Sequence, residues 1–363
     1  MNNTNFWKNK RVLVTGHTGF KGSWLSIYLR LLGAKVTGYA LDPKNSKDNF
    51  VLSKIEKHIN HIVNDIRDFE SLFNAFNDTK PHVVFHLAAQ PLVLKSYNQP
   101  KETFDTNIGG TVNVLEASRF CKSVRVIVNI TSDKCYFDSM PEKGYNENNR
   151  LGGYDSYSSS KACSELVTDA YRNSFFNINN LEEHNVSLSS ARAGNVIGGG
   201  DWNENRLIPD CIRSLENSEK IVIRNPEHFR PWQHVLEPLT GYLMLAENMY
   251  SNPRKFSGAW NFGPSSDAFV NVETLVKKLI KVWGSGDWEA ESISKEKLRE
   301  DKKLFLDATK AWNELNWKSN YNIDESIDLT LNWYKNYYKS DVLDLCEKQI
   351  KKYLLIEQLN ESS

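Results

Sequence analysis

Three glycines, Gly16, Gly19 and Gly22, stand between an apolar run, Arg11-Val-Leu-Val-Thr15, and a stretch with Trp24, Leu25, Tyr28, Leu29 and Leu32 at helical spacing. No other feature narrows the fold as far. A short buried strand that enters a helix through a glycine turn is the opening of a β-α-β unit, and such units build parallel sheets. The spacing is G-x-x-G-x-x-G, a variant of the dinucleotide fingerprint. Glycines there permit a tight turn and let the backbone approach a pyrophosphate at the positive end of the helix. Gly16, Thr18, Gly19, Phe20 and Lys21 are therefore candidate cofactor contacts, against the blander reading of a chance glycine turn.

The alternation continues. Strands are predicted at 35–41, 61–63, 82–87, 124–130 and 186–190, with helices over 22–32, 70–76, 103–120 and 158–175. Right-handed crossovers then require a doubly wound α/β sheet of Rossmann type. After Gly198-Gly-Gly-Asp201 the rhythm changes to mixed polar and aromatic residues, and helices without clear partner strands dominate. The predicted division is a nucleotide-binding domain of residues 1–195 plus about 233–263, and a smaller, mostly C-terminal α/β substrate domain of 196–232 and 264–363. The tail, 324–359, reads as helical, ending in a polar segment.

Charge narrows the function. Lys+Arg and Asp+Glu are both 45 in 363 residues, a net charge of +0, without the basic excess of a nucleic-acid or membrane-surface binder. No apolar run approaches a membrane span, and the N-terminus lacks the apolar core of a secretory signal. Five cysteines (121, 135, 163, 211, 346) form no Cys-x-x-Cys pair, so neither disulfides nor a zinc site are expected, and the eight histidines lack metal-binding spacing. The chain reads as cytoplasmic, without a protein-bound metal.

Asp42 lies 20 residues beyond Gly22, where a carboxylate takes adenosine ribose hydroxyls and favours NAD over NADP; otherwise it is a turn residue before Pro43. Asp65-Ile66 and Ala88-Ala89-Gln90 follow the third and fourth strands, where adenine and pyrophosphate would run, or are ordinary packing. Tyr157-Ser-Ser-Ser-Lys161 puts a phenol and an ammonium on one helical face. The ammonium is expected to pull the phenol toward neutrality, making a base for a sugar hydroxyl. Ser132, Asp133 and Lys134 end a strand where α/β sheets place ligands, or form a surface turn. Arg206, Arg224 and Arg230 either clamp a diphosphate or are solvated charges.

Taken together, Val14 to Trp24, His86 to Val93, Asn129-Ile-Thr-Ser-Asp-Lys-Cys-Tyr136, Gly153 to Tyr157, Ala191 to Trp202, Arg224-Asn-Pro226, Arg230 to Val235 and Trp260-Asn-Phe-Gly-Pro264 resemble the extended short-chain dehydrogenases/reductases acting on nucleotide sugars. Within them the closest resemblance is to the CDP-glucose 4,6-dehydratases, over nearly the whole chain. That resemblance implies a hydro-lyase with retained NAD: oxidation at carbon 4 by Tyr157 with Lys161, loss of water across carbons 5 and 6, and reduction at carbon 6. It further implies that Asn107 lies near the catalytic tyrosine at the cofactor, and that Asn195, Arg206, Leu207, Arg230 and Asn261 line the nucleotide diphosphate.

One departure matters. Many sugar-nucleotide 4,6-dehydratases carry Thr-Asp-Glu where this chain has Ser132-Asp133-Lys134. Asp133 keeps the acid's role toward the leaving hydroxyl. Lys134 is expected as the carbon 5 base, its pKa lowered by burial and by Lys161, unless another group takes that part. The resemblance also implies a homo-oligomer, dimer or tetramer, through the helices 103–120 and 158–175, and a place in bacterial deoxysugar and lipopolysaccharide O-antigen synthesis. The rivals are another nucleotide-sugar dehydratase, a 4-epimerase, and a non-catalytic nucleotide sensor, which would have no use for the Tyr157–Lys161 pair.

Overall fold

Arg11–Thr15 (β1) is buried along four of its five residues, as a strand must be when helices cover both faces of its sheet. Alternate side chains serve two cores: Val12 and Val14 belong to one cluster and Leu13 to the other, and Val83/Phe85 against Val84 repeats the division. The computed structural model describes residues 4–139, 141, 143–265, 268–291 and 304–361.

With Lys35–Ala40 (β2), Asn60–Val63 (β3), Val83–His86 (β4), Val126–Ile130 (β5), Ser187–Arg192 (β6) and Gly258–Asn261 (β7), β1 forms a seven-stranded sheet in the order β7-β6-β5-β4-β1-β2-β3. Every pairing in it is parallel. The order reverses between β1 and β4, and such a switch point opens a crevice at the carboxyl ends of the strands.

The helix after the glycine turn, Phe20–Leu31 (α1), starts two residues before the predicted bound and so takes Lys21 into its first turn. Gly33 stops it at φ +85°, where a side chain would be strained. Phe69–Thr79 (α2) is longer than predicted. The helix expected over 103–120 is interrupted: a π-helical turn, Asp105–Gly109, precedes Gly110–Phe120 (α3). Asn107 sits in that turn and bonds the loop after β4, a tertiary demand that the helical periodicity does not carry. Ser156–Ser174 (α4) holds both Tyr157 and Lys161.

Beyond β6 the chain is less helical than expected. Val196–Ile197 pairs Gln233–His234, Ile221–Ile223 pairs Trp288–Ala290, and Phe229–Pro231 pairs Phe269–Asn271. Strands of two or three residues are too short to show a period in sequence. The tail is two helices, Ile323–Asn336 and Val342–Glu361. From the second, Cys346 Sγ lies 3.2 Å from Asn49 Oδ1, and Glu347 pairs with Arg30 of α1. Residues 362–363, the polar end, lie outside the described residues. No described helix is long and apolar enough to cross a membrane.

Candidate active site

A cavity of about 1020 Å³ opens along the carboxyl ends of β1 to β6. At one end is the glycine turn. Gly16 has φ +73°, and a Cβ there would stand 2.7 Å from the Ala88 amide nitrogen; a Cβ at Gly22 would come 2.1 Å from the Gly16 carbonyl oxygen. Glycine is thus required at both for the loop to close against β4. Gly19 caps α1 without a side chain, leaving first-turn N–H groups and the helix dipole for an anion. Thr18 Oγ1 donates to the Leu41 carbonyl at 2.9 Å, tying the loop to the end of β2. Asp42 lies exposed just beyond and Asp65 borders the same space. The Arg67 guanidinium hydrogen-bonds Asp65 and, against its partial burial, holds that carboxyl below its ordinary range. This cradle, uncapped helix and carboxylate fit an NAD dinucleotide.

At the other end, α4 begins on an Asp155 cap that accepts from Ser158 N at 2.9 Å, fixing the turn that carries Tyr157. Tyr157, Lys161 and Glu165 follow at intervals of four and share one face. Ser132 Oγ donates to Asp133 Oδ1 at 2.9 Å and also accepts from Lys134 N, so the strand end turns tightly. Gly194 makes room for the acid: a Cβ there would lie 1.9 Å from Asp133 Oδ2.

The phenol does not behave as expected. Burial pushes Tyr157 up to about 12; the Ser132 hydrogen bond and Arg206 pull the other way, and Asp133 pushes up further. Lys161 donates to the Ile130 carbonyl at 3.3 Å, and burial lowers it to about 8 against Glu165 and Cys135. The lowering expected of the phenol is therefore not found: desolvation, which sequence spacing cannot express, outweighs Ser132 and Arg206. Burial and Lys161 also pull Lys21 down, to about 7.

All residues singled out in the sequence line this cavity except Asn107 and Asn261. Asn107 is buried behind the wall: its Oδ1 accepts from Gln90 N at 2.7 Å and its Nδ2 donates to Ser160 Oγ at 2.8 Å, joining the β4 loop to α4. Asn261 is wholly buried, donating to the Tyr145 and Asp307 carbonyls and accepting from Tyr136 OH at 2.8 Å. Both were expected to contact ligand; with their amides committed to protein, both instead brace the residues around the site. Gln90 borders the cavity, but its amide donates to Thr103 Oγ1 at 2.9 Å and to Leu92 O.

Asn195 borders the cavity in a left-handed turn at φ +49°. Arg206, just before Leu207 opens a helix, is oriented by Asp201 at 3.0 Å. Arg224 is exposed, and Arg230 donates to the Phe229 carbonyl at 2.8 Å. Among the described residues no group of three or more His, Cys, Asp or Glu side chains could hold a metal ion.

Sequence reasoning missed Glu165 and Arg192, a pair buried at 2.7 Å on the helical face that carries Tyr157 and Lys161. The position of Glu165, four residues beyond Lys161, was the available signal. It also missed Gly194, whose need for no side chain depends on Asp133.

A family model described as GDP-mannose 4,6 dehydratase matches residues 13–330. The CDP-glucose 4,6-dehydratase of Salmonella typhimurium (strain LT2) is 47% identical over 352 residues, covering 96% of this chain and 98% of the relative. The CDP-paratose 2-epimerase of Salmonella typhi is 24% identical over 340 residues, covering 87% and 97%. Among solved structures, a dTDP-glucose 4,6-dehydratase from Bacillus anthracis in complex with NAD has a TM-score of 0.72 at 22% identity, covering 92% of this chain and 99% of that one. A UDP-glucose 4-epimerase from Thermotoga maritima with UDP-glucose gives 0.74 at 22% identity, covering 90% and 99%. At those identities the structural likeness is one of fold.

Proposed function

The chain belongs to the GDP-mannose 4,6 dehydratase family, and on that premise we propose that it dehydrates CDP-glucose to CDP-4-keto-6-deoxyglucose with NAD regenerated in each turnover. The observation that carries this reading is that a glycine cradle, the Tyr157–Lys161 pair and the Ser132-Asp133-Lys134 turn all open into one cavity. Likeness to the Salmonella typhimurium enzyme across nearly the whole chain supports the cytidine substrate.

Gly16, Thr18, Gly19, Phe20 and Lys21 would hold the cofactor's diphosphate end, with Asp42, Asp65, Ile66, Ala88 and Ala89 along the adenosine. Bound NAD supplies the acceptor for the hydride of carbon 4 and the donor for carbon 6. As phenolate, Tyr157 would take the proton of the carbon 4 hydroxyl, with the positive charge of Lys161 and of bound NAD offsetting the burial that raises the phenol and with Ser132 beside it. Once carbon 4 is a ketone, the proton on carbon 5 is acidic. Asp133 then protonates the departing carbon 6 hydroxyl, and Lys134, which borders the cavity, is the candidate base. Asn195, Arg206, Leu207, Arg224 and Arg230 would enclose the nucleotide diphosphate.

In this reading residues 1–195 with 233–263 serve the cofactor and the rest mainly the sugar nucleotide. A homo-oligomer through α3 and α4 is part of the proposal, supported by exposed Phe120, Leu166 and Phe175 on those helices and just beyond; the cytoplasm is the expected compartment.

The test is incubation of the full chain with NAD and, separately, CDP-, dTDP-, UDP- and GDP-hexoses, with mass spectrometry for loss of one water. Water loss from CDP-glucose alone, without NADH accumulation, is expected. Loss from another nucleotide sugar would overturn the cytidine assignment, and an unchanged mass with all four would overturn the dehydratase.

A further inference from the structure

Between β2 and the short helix Asn49–Ser53, residues 41–48 run along the edge of the cavity, with Leu41, Asp42, Pro43, Lys44 and Asp48 on its wall. The segment is tied at both ends. Thr18 of the glycine turn bonds the Leu41 carbonyl, and Asn49 N donates to the Gly200 carbonyl at 3.2 Å. In between, Lys47 N donates to Asn45 Oδ1 at 2.9 Å and Asn45 N to Asp48 Oδ2 at 3.3 Å, so the turn holds its own shape. That turn presents the Lys47 ammonium to residues from beyond β6. Its Nζ lies 4.8 Å from the centre of the Trp202 ring, 5.9 Å from that of Tyr337 and 3.3 Å from Glu216 Oε2. Tyr337 OH donates to the other Glu216 oxygen at 3.0 Å. The rings are themselves fixed: buried Trp202 meets Tyr337 edge-on at 5.8 Å, and Tyr337 stacks on buried Trp333 at 5.4 Å. Burial of Lys47 opposes its charge, but Tyr337 and Glu216 outweigh it and raise the amine above its ordinary range.

We propose that Lys47 is a latch: its ammonium, seated among Trp202, Tyr337 and Glu216, closes the 41–48 segment over the cavity edge and slows the departure of the bound dinucleotide. The inference rests on the NAD-dependent reading above. With 47% of the Lys47 side chain exposed, the ion pair adds little to folding. Its effect lies in what must break when the segment lifts. A dinucleotide lying along Asp42 leaves by this edge only after Lys47 has parted from all three partners. Arrival can precede closure, so the latch acts on release more than on association. Retention has a use in this reaction. Between the two hydride transfers the cavity holds the reduced cofactor and a sugar still to be reduced at carbon 6, and loss of the cofactor then would strand that sugar. Lys47 touches neither reacting centre; it is a positioning residue.

The test follows release directly. NADH is bound to the full chain and displaced by excess NAD, and its fluorescence is read by stopped flow. Lys47→Met keeps the stem and removes the cation. Release should quicken by about three- to tenfold, the span for one cation–π contact and one exposed ion pair, with association within about twofold of the parent. Lys47→Arg keeps the charge, stacks on aromatic rings and should restore slow release. Glu216→Gln leaves the rings in place and should give an intermediate rate. Adding it to Lys47→Met should change little more, because both act through one contact. At about 1 M salt the ratio between the Lys47→Met and parent rates should narrow. A parent-like release rate in Lys47→Met would overturn the proposal. So would slower association with unchanged release, which would make Lys47 an attracting charge only, and so would equally fast release from Lys47→Arg. If the parent chain binds neither NADH nor NAD, the NAD reading fails and this one with it, an outcome none of the others resembles.

Discussion

The Glu165 carboxylate meets the Arg192 guanidinium at 2.7 Å, with both side chains no more than 3% exposed. Glu165 also accepts from Thr131 Oγ1 and Ser190 Oγ, and Arg192 donates to Tyr136 OH. Burial pushes the Glu165 carboxyl up, but Arg192 and these hydrogen bonds outweigh it and hold it below its ordinary range. Because Glu165 is two turns beyond Tyr157 on α4, the pair anchors the face of that helix that carries Tyr157 and Lys161 to β6.

Removing one partner strands the other. Arg192→Met should cost about 3–5 kcal/mol of folding stability, the range for leaving a buried charge unpaired. The double variant Glu165→Gln/Arg192→Met should recover part of that loss. Denaturant titration of the three chains checks this, and a double variant as unstable as the sum of the singles would show that the two side chains act independently.

Gly194→Ala places a methyl where the Asp133 carboxylate lies. The acid must move, so dehydration should fall by about a hundredfold or more while nucleotide-sugar binding changes little. Comparison of kcat with a calorimetric Kd separates the two; parallel losses in both would point to general damage to the cavity.

Tyr157→Phe removes the proton acceptor and keeps the ring. Turnover should drop by about 10²- to 10⁴-fold, with no bound NADH formed on adding substrate. If NADH still formed at the parent rate, the proton at carbon 4 would be leaving by another route.

Glu237 is wholly buried; it accepts from Tyr353 OH at 2.6 Å and from the amides of Asn320 and Tyr321, joining the last helix to the segment that follows Gln233–His234. Burial holds its carboxyl up at about 7, against these hydrogen bonds. The folded state therefore keeps a proton that the unfolded chain releases near its ordinary value of 4.5. A raised carboxyl contributes stability that is fully present below the unfolded value and is lost as pH climbs through about 7. The stability of the parent relative to Glu237→Gln should thus decline from about pH 5 to about pH 8. Thermal melts of both chains across that range test it, and parallel curves would contradict it.

The parts of the site readable in advance share a local cause. Gly16, Gly19 and Gly22 declare themselves because a strand, a tight turn and a helix follow one another without interruption. Tyr157 and Lys161 do so because four residues make about one helical turn. At Asn107 and Asn261 the sequence could not give the direction of the side chain: a motif position says that an amide is needed, not whether it faces ligand or protein. Likewise, only the packed interior shows that burial and Lys161 act on Lys21.

What the chain's sequence determined by itself was the parallel α/β sheet, the glycine cradle at its first turn and the shared face of Tyr157 and Lys161, all consequences of period and spacing within a few residues. What only the tertiary structure decided was the electrostatics: the phenol raised rather than lowered, the carboxylate of Asp133 admitted by Gly194, the buried Glu165–Arg192 pair, and the amides turned inward at Asn107 and Asn261. These depend on desolvation and on neighbours such as Tyr136 and Asn261, 125 positions apart in the chain. A hydrogen bond or a lost hydration shell at that separation exists only once the sheet has brought the two ends together.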